Sequence, residues 1–125
     1  MARTPTAAPL PSGGVYIGLF RLARPRRIRV GRLGVIAFTP GLYAYVGSAR
    51  QHLKARLDRH ARRHKRLRWH IDYLSVRSEM IGALALPGGK ERECQLAQRL
   101  TDIGAEPVPG FGCSDCRCRS HLFWI

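Results

Sequence analysis

Apolar positions along this chain follow two different periods, and the switches between them predict its elements. GVYIGLFRL (Gly14–Leu22) is apolar, aromatic and β-branched, which predicts a strand. Ile28 and Val30 then alternate with Arg27 and Arg29, as in a half-exposed strand. VIAF (Val35–Phe38) is a further short strand, closed by the turn Thr39-Pro40-Gly41, and LYAYVGS after it is another, stopping at Gly47-Ser48. Over residues 51–67 the period becomes helical, with Leu53, Leu57 and Ala61 forming one narrow stripe. Residues 69–76 (WHIDYLSV) alternate again and predict a strand, with Trp69, Ile71 and Tyr73 on one side. IGALAL (81–86) predicts a buried strand ended by Pro87-Gly88-Gly89, and 90–100 an amphipathic helix with Leu96, Ala97 and Leu100 inward. The tail FGCSDCRCRSHLFWI reads as a polar, Cys-rich loop and an apolar terminal strand. Strands and helices in this order predict an α/β (α+β) fold: a small, mainly antiparallel sheet flanked by helices.

The length, 125 residues, suits one domain over 13–125. The Pro-, Ala- and Thr-rich residues 1–12 carry too little apolar surface to predict order. No stretch has signal-peptide character or approaches a membrane span, so neither secretion nor a membrane partner is expected. Charge changes the picture most. Lys+Arg number 22 against 8 Asp+Glu, a net charge of +14, which calls for a polyanionic partner. Lysine occurs only at Lys54, Lys65 and Lys90. Arginine forks bind phosphate oxygens in a bidentate way, which favours nucleic acid over an anionic membrane. From Arg50 to Arg68 nine basic residues accompany one acid, Asp58. Ser48, Arg50, Lys54, Arg59, Arg62, Arg63 and Arg66 are therefore the candidate phosphate contacts, of a kind that gives affinity without sequence choice.

The segment Tyr45-Val46-Gly47-Ser48, followed by a helix bearing Arg56 and His60, suits phosphate chemistry. Gly47 would let backbone approach a phosphate, and the helix start would offer unpaired N–H groups. Arg56 borders the buried stripe, so it is held as a transition-state charge stabiliser must be, or it is an ordinary ion-paired helix residue. His60, four residues on, shares its face. Glu93 precedes Leu96 and Ala97 by three and four residues, which turns it inward, whereas Glu91 falls with Gln95 toward solvent. A carboxylate at the edge of a buried face needs a cation, either Mg²⁺ or Mn²⁺ held with waters and substrate phosphate, or Arg56.

Gly14-Val15-Tyr16, Tyr45-Val46-Gly47, Arg56 and Glu93, in this order, resemble the GIY-YIG nucleases. Tyr-Val-Gly-Ser-Ala, Arg56-Leu57-x-x-His60, Trp69-His70-Ile71-Asp72-Tyr73-Leu74, Glu93-Cys94 and the Cys/His tail resemble their Uri subgroup, over nearly the whole chain. The resemblance implies a three-stranded antiparallel sheet flanked by helices. It implies Tyr16 as general base or water positioner, Tyr45 lining the site, Arg56 on the scissile phosphate, Glu93 on one divalent metal ion, and His60 assisting. Two departures stand out. The stretch between Tyr16 and Tyr45 is longer than usual, so the arginine-rich segment is an insertion. Tyr43 in Gly41-Leu42-Tyr43 competes with Tyr16 as first motif tyrosine, because Tyr43 and Tyr45 share a strand face.

Of four cysteines, three crowd into the tail, a pattern unlike a secreted disulfide framework and suited to a reducing, cytoplasmic setting. Cys113-x-x-Cys116-x-Cys118-x-x-His121 offers four soft ligands for Zn²⁺, or reduced cysteines in a structural loop. His70 and Asp72 could support the site or form a structural pair. Three functions remain open: a metal-dependent endonuclease, acting on DNA before RNA; a non-catalytic DNA- or RNA-binding module on the same fold; and a zinc-dependent interaction module.

Overall fold

The computed structural model describes residues 10–113 and 118–125. Residues 1–9, which hold most of the segment expected to lack order, lie outside the described residues. Among the described residues seven strands and three α-helices follow in order: β1 (Gly14–Leu22), β2 (Arg26–Arg29), β3 (Val35–Phe38), β4 (Gly41–Ala49), α1 (Leu53–Ala61), α2 (His70–Ser75), β5 (Glu79–Leu86), α3 (Lys90–Asp102), β6 (Glu106–Pro107) and β7 (Leu122–Trp124). Five strands form one antiparallel sheet in the order β5-β1-β4-β7-β6. The fold is α+β, as the pattern predicts. The sheet is wider than three strands because β7, from the tail, pairs with β4 and β6 pairs with β7.

β1 and β4 pair along their whole length, from Gly14 opposite Ala49 to Leu22 opposite Gly41. Alternation then sets two faces. Tyr16, Phe20 and Leu22 share one face with their partners Gly47, Tyr43 and Gly41, and Tyr45 joins them. Val15, Ile17, Val46 and Ser48 share the other. α3 covers this second face, burying Ala97 against Val15, Val46 and Phe123. On the first face α1 packs Leu53 and Leu57 against Tyr16 and Ala49. α2 and the hairpin β2–β3 cover the rest, enclosing Phe20, Leu22, Ile28, Val30, Phe38, Ile71, Leu74 and Phe111. The arginine-rich insertion is this hairpin: Ile28 turns inward while Arg26, Arg27 and Arg29 stay exposed.

Three expected elements differ. Residues 69–76 form a helix rather than a strand. Asp72 starts it by accepting the Trp69 and Arg68 backbone N–H groups, and Ile71, Leu74 and Ser75 are buried at helical spacing. One and a half turns are too short to impose a 3.6-residue period on the sequence. IGALAL is not buried: β5 is an edge strand, with Leu84 62% and Ile81 47% exposed. Leu84 pairs with Ile17 on the α3 side, where the helix centres on β1 and β4. In α1 the third stripe residue, Ala61, is exposed and His60 is buried in its place. Among the described residues, no helix is long and apolar enough to cross a membrane.

Candidate active site and thiol cluster

The site forms where the sheet is left open. β7 pairs with β4 only at Tyr43, Ala44 and Tyr45. Past Val46, whose N–H donates to the His121 carbonyl, groups from both faces of β4 reach a common cleft. This cleft, about 490 Å³, is lined by Tyr16, Tyr45, Gly47, Ser48, Arg56, Trp69, His70 and Glu93, among others. Residues 77 positions apart in sequence, Tyr16 and Glu93, thus face one space.

The tyrosine face contributes a chain of aromatic groups. Tyr16 is 2% exposed, its ring centroid 6.4 Å from that of Tyr45. Its hydroxyl lies 2.7 Å from His60 Nε2. His60 is itself 1% exposed, and burial, with Lys65 nearby, lowers its pKa to about 4, so the ring is neutral at neutral pH. Burial likewise pushes the Tyr16 phenol far above its ordinary value; Arg56 beside it opposes that shift and Glu93 adds to it. Tyr45 is raised in the same direction, by burial and then by Tyr16 and Glu93. Both phenols are therefore protonated at rest. Tyr43 belongs elsewhere: its hydroxyl donates to the Thr39 carbonyl at 2.6 Å and its ring packs on Phe38. Among the two rival tyrosines, Tyr16 is the one that lines the cleft.

Gly47 serves a purpose other than the expected one. A Cβ there would collide with the hydroxyl and ring of Tyr16, so the space above Gly47 is filled by that ring rather than reserved for a phosphate. Gly47→Ala is expected to push the Tyr16 ring aside and to destabilise the protein by about 1–3 kcal/mol, as overpacking does. Urea denaturation would read the loss, and parental stability in the variant would show that the contact is not tight. The helix start does not serve the cleft either. The Leu53 N–H donates to the Ser12 carbonyl, and α1 presents Arg56 from its side.

Arg56 is fixed from two directions. Nη1 donates to the Ser48 carbonyl at 2.7 Å, and the guanidinium lies 5.0 Å from the centre of the Trp69 ring. Arg59 and Arg68 flank the same indole at 4.5 and 5.5 Å. Arg59 is engaged with Asp72, donating at 2.7 and 2.9 Å, which makes it a structural ion pair rather than an open phosphate contact. Arg50, Lys54, Arg62, Arg63 and Arg66 are exposed on the surface around α1, Lys54 pairing with Asp58 at 2.8 Å. His70 and Asp72 do not pair as foreseen: His70 Nδ1 accepts the Gly112 N–H at 2.8 Å in the cleft wall, while Asp72 holds Arg59.

The α3 face contributes the acid. Glu93 does not pair with Arg56. Its Oε2 accepts from Ser48 Oγ at 2.5 Å, and its Oε1 lies 2.8 Å from His121 Nδ1. Burial raises the Glu93 carboxyl, but the His121 and Ser48 contacts outweigh it and hold it below its usual range. The carboxylate, 12% exposed, borders the cleft with lone pairs to spare on both oxygens. A hard divalent cation held by one carboxylate, waters and a substrate phosphate fits such a donor set. Neither contact is legible in the sequence: the Ser48 contact depends on how α3 lies over β4, and the His121 contact on which way the tail crosses β4.

The tail's soft ligands are arranged differently from the expected set. Cys94 of α3 comes together with Cys118 and His121, their ligand atoms all within 4.8 Å of one another. Cys113 Sγ contacts the Phe111 carbonyl at 3.4 Å, and Cys116 lies outside the described residues. Cys94 was visible only as the neighbour of Glu93.

Residues 15–125 match the family model described as "Domain of unknown function DUF123", and the chain belongs to that family. No curated protein and no solved structure matches it.

Proposed function

We propose that this protein is a metal-dependent endonuclease of the GIY-YIG type, close to the Uri subgroup, hydrolysing phosphodiester bonds in nucleic acid, DNA before RNA. One observation carries the reading: Tyr16, Tyr45, Arg56 and Glu93, distant in sequence, line a single cleft. The basic surface supports the choice of substrate. The grooves beside the cleft are walled by Arg32 and Arg68, then by Arg26, Arg27, Arg29 and Arg77, so cations continue from the cleft onto the hairpin.

The protonated phenol of Tyr16 takes no second proton as it stands. Its partner resolves this. With Tyr16 donating to His60 Nε2, the phenol oxygen accepts a proton from the attacking water as its own proton passes to the imidazole. The pair then holds one positive charge, on the His60 ring; burial opposes that charge, and the negative charge growing on the phosphate offsets it. Arg56, already held by Ser48 and Trp69, stabilises both that oxygen and the charge growing on the phosphate. Glu93 would hold Mg²⁺ or Mn²⁺, which when bound supplies charge neutralisation at the phosphate and leaving oxygen.

Supercoiled plasmid incubated with Mg²⁺ or Mn²⁺ is expected to be nicked, and a chelator to stop it. Arg56→Ala should slow nicking by about a hundredfold or more, the usual loss for one preorganised donor. Tyr16→Phe should slow it comparably while leaving gel-shift affinity within about threefold, because it removes a proton path and no phosphate contact. A gel shift without nicking on duplex, flap and junction substrates would instead favour a binding module.

A further inference from the structure

Two thiols and an imidazole converge outside the residues that line the cleft, and the proposed hydrolysis uses none of the three as a ligand. Cys94 lies on α3; Cys118 and His121 lie in the tail just before β7. Cys94 and Cys118 are half-buried and His121 is 1% exposed. Their ligand atoms lie within 4.8 Å of one another. Around one tetrahedral zinc, Zn–S and Zn–N bonds of about 2.3 and 2.0–2.1 Å place such atoms about 3.5–3.8 Å apart, so side-chain rotation of roughly an ångström closes the set. No disulfide joins the cysteines among the described residues.

The histidine also has a carboxylate beside it. Its Nδ1 lies 2.8 Å from Glu93 Oε1, and a carboxylate beside one ring nitrogen leaves the other nitrogen of a histidine for a metal ion. Donor softness selects the ion, since two thiolates with an imidazole suit zinc and are poor partners for magnesium. We propose that Cys94, Cys118 and His121 bind one zinc ion, which pins the tail to α3. The site differs from the tail motif, in which Cys113 and not Cys94 supplies a thiolate. It stands whether or not the protein cuts nucleic acid, because its measurement involves none.

The full chain, purified without chelator under reducing conditions, is supplied with zinc, desalted and analysed for metal. About one zinc per chain is expected. Cys94→Ser and Cys118→Ser should lose at least about nine-tenths of it, and Cys113→Ser should keep it. Should the serine variants fail to fold, two measurements on the parent decide. Cobalt in place of zinc should give intense visible bands of a tetrahedral site with thiolate charge transfer. Bound zinc should also protect Cys94 and Cys118, but not Cys113, from alkylation as mapped by peptide mass. Absence of zinc from the parent, retention of zinc by Cys94→Ser, iron in its place, or a Cys94–Cys118 disulfide in the unreduced digest would each overturn the site.

Discussion

Glu93→Gln is expected to lower metal-dependent nicking by about a thousandfold or more while changing DNA affinity by no more than about threefold. The substitution keeps volume and shape and removes the charge. Only eight acids exist in the chain, and among the described residues Glu93 is the one bordering the cleft. Among the described residues no second carboxylate lines the cleft to replace it as the anchor for a cation. In the proposed reading DNA affinity rests instead on the exposed arginines flanking α1 and on those of the hairpin, which the change does not touch. The carboxamide keeps one acceptor oxygen for Ser48 or His121 and turns its N–H groups toward the other. A modest stability loss is therefore expected, and a thermal melt run beside the nicking assay separates it from lost chemistry. Parental nicking by folded Glu93→Gln protein would remove the acid from the mechanism and with it the proposed metal position.

The two long strands of the sheet are legible because runs of apolar, aromatic and β-branched residues bounded by glycine leave little freedom. Their register, Tyr16 opposite Gly47, then decides between Tyr16 and Tyr43 in a way that spacing alone could not. Both tyrosines occupy the same face, but four residues apart on a strand is about 13 Å, the distance between a cleft and a core. The inward turn of Glu93 was legible from Leu96 and Ala97 three and four residues on. What escaped was set by long-range packing. α2 looks like a strand because its brief helix is fixed by one carboxylate, Asp72, rather than by a repeated apolar stripe. IGALAL looks buried because an edge strand half covered by a helix has the same composition as a central one. The Glu93 contact with Ser48 requires α3 to lie across β4, and the contact with His121 and the meeting of Cys94 with the tail require the tail to fold back across the same strand. No local period records that.

Asp72→Asn is expected to destabilise the protein by about 3–5 kcal/mol, the range for breaking a buried ion pair on one side. The carboxylate is fully buried and accepts from both nitrogens of Arg59 and from the backbone of Arg68 and Trp69. Lys65 Nζ stands 3.9 Å away. An asparagine retains one acceptor oxygen and sets an N–H group against a ring of donors, leaving the Arg59 charge poorly matched. Burial alone would raise the Asp72 carboxyl, yet Arg59 and the two backbone N–H groups hold it below its ordinary value. A depressed folded-state value means that the unfolded chain binds the proton more readily. The stabilisation is therefore complete above about pH 5 and is lost as pH falls through the folded value, below about pH 4. Urea denaturation of parent and variant should give a constant gap near neutrality that closes in acid. A gap under about 0.5 kcal/mol at pH 7, no larger than an ordinary surface change, would show the pair to be dispensable. The consequence reaches the cleft through Trp69. Arg59 and Arg56 lie over the same indole, and Asp72 holds the backbone N–H of that residue. Loosening Asp72 frees the surface that positions Arg56. At a temperature where the variant is still folded, its nicking should therefore fall further than the folded fraction accounts for.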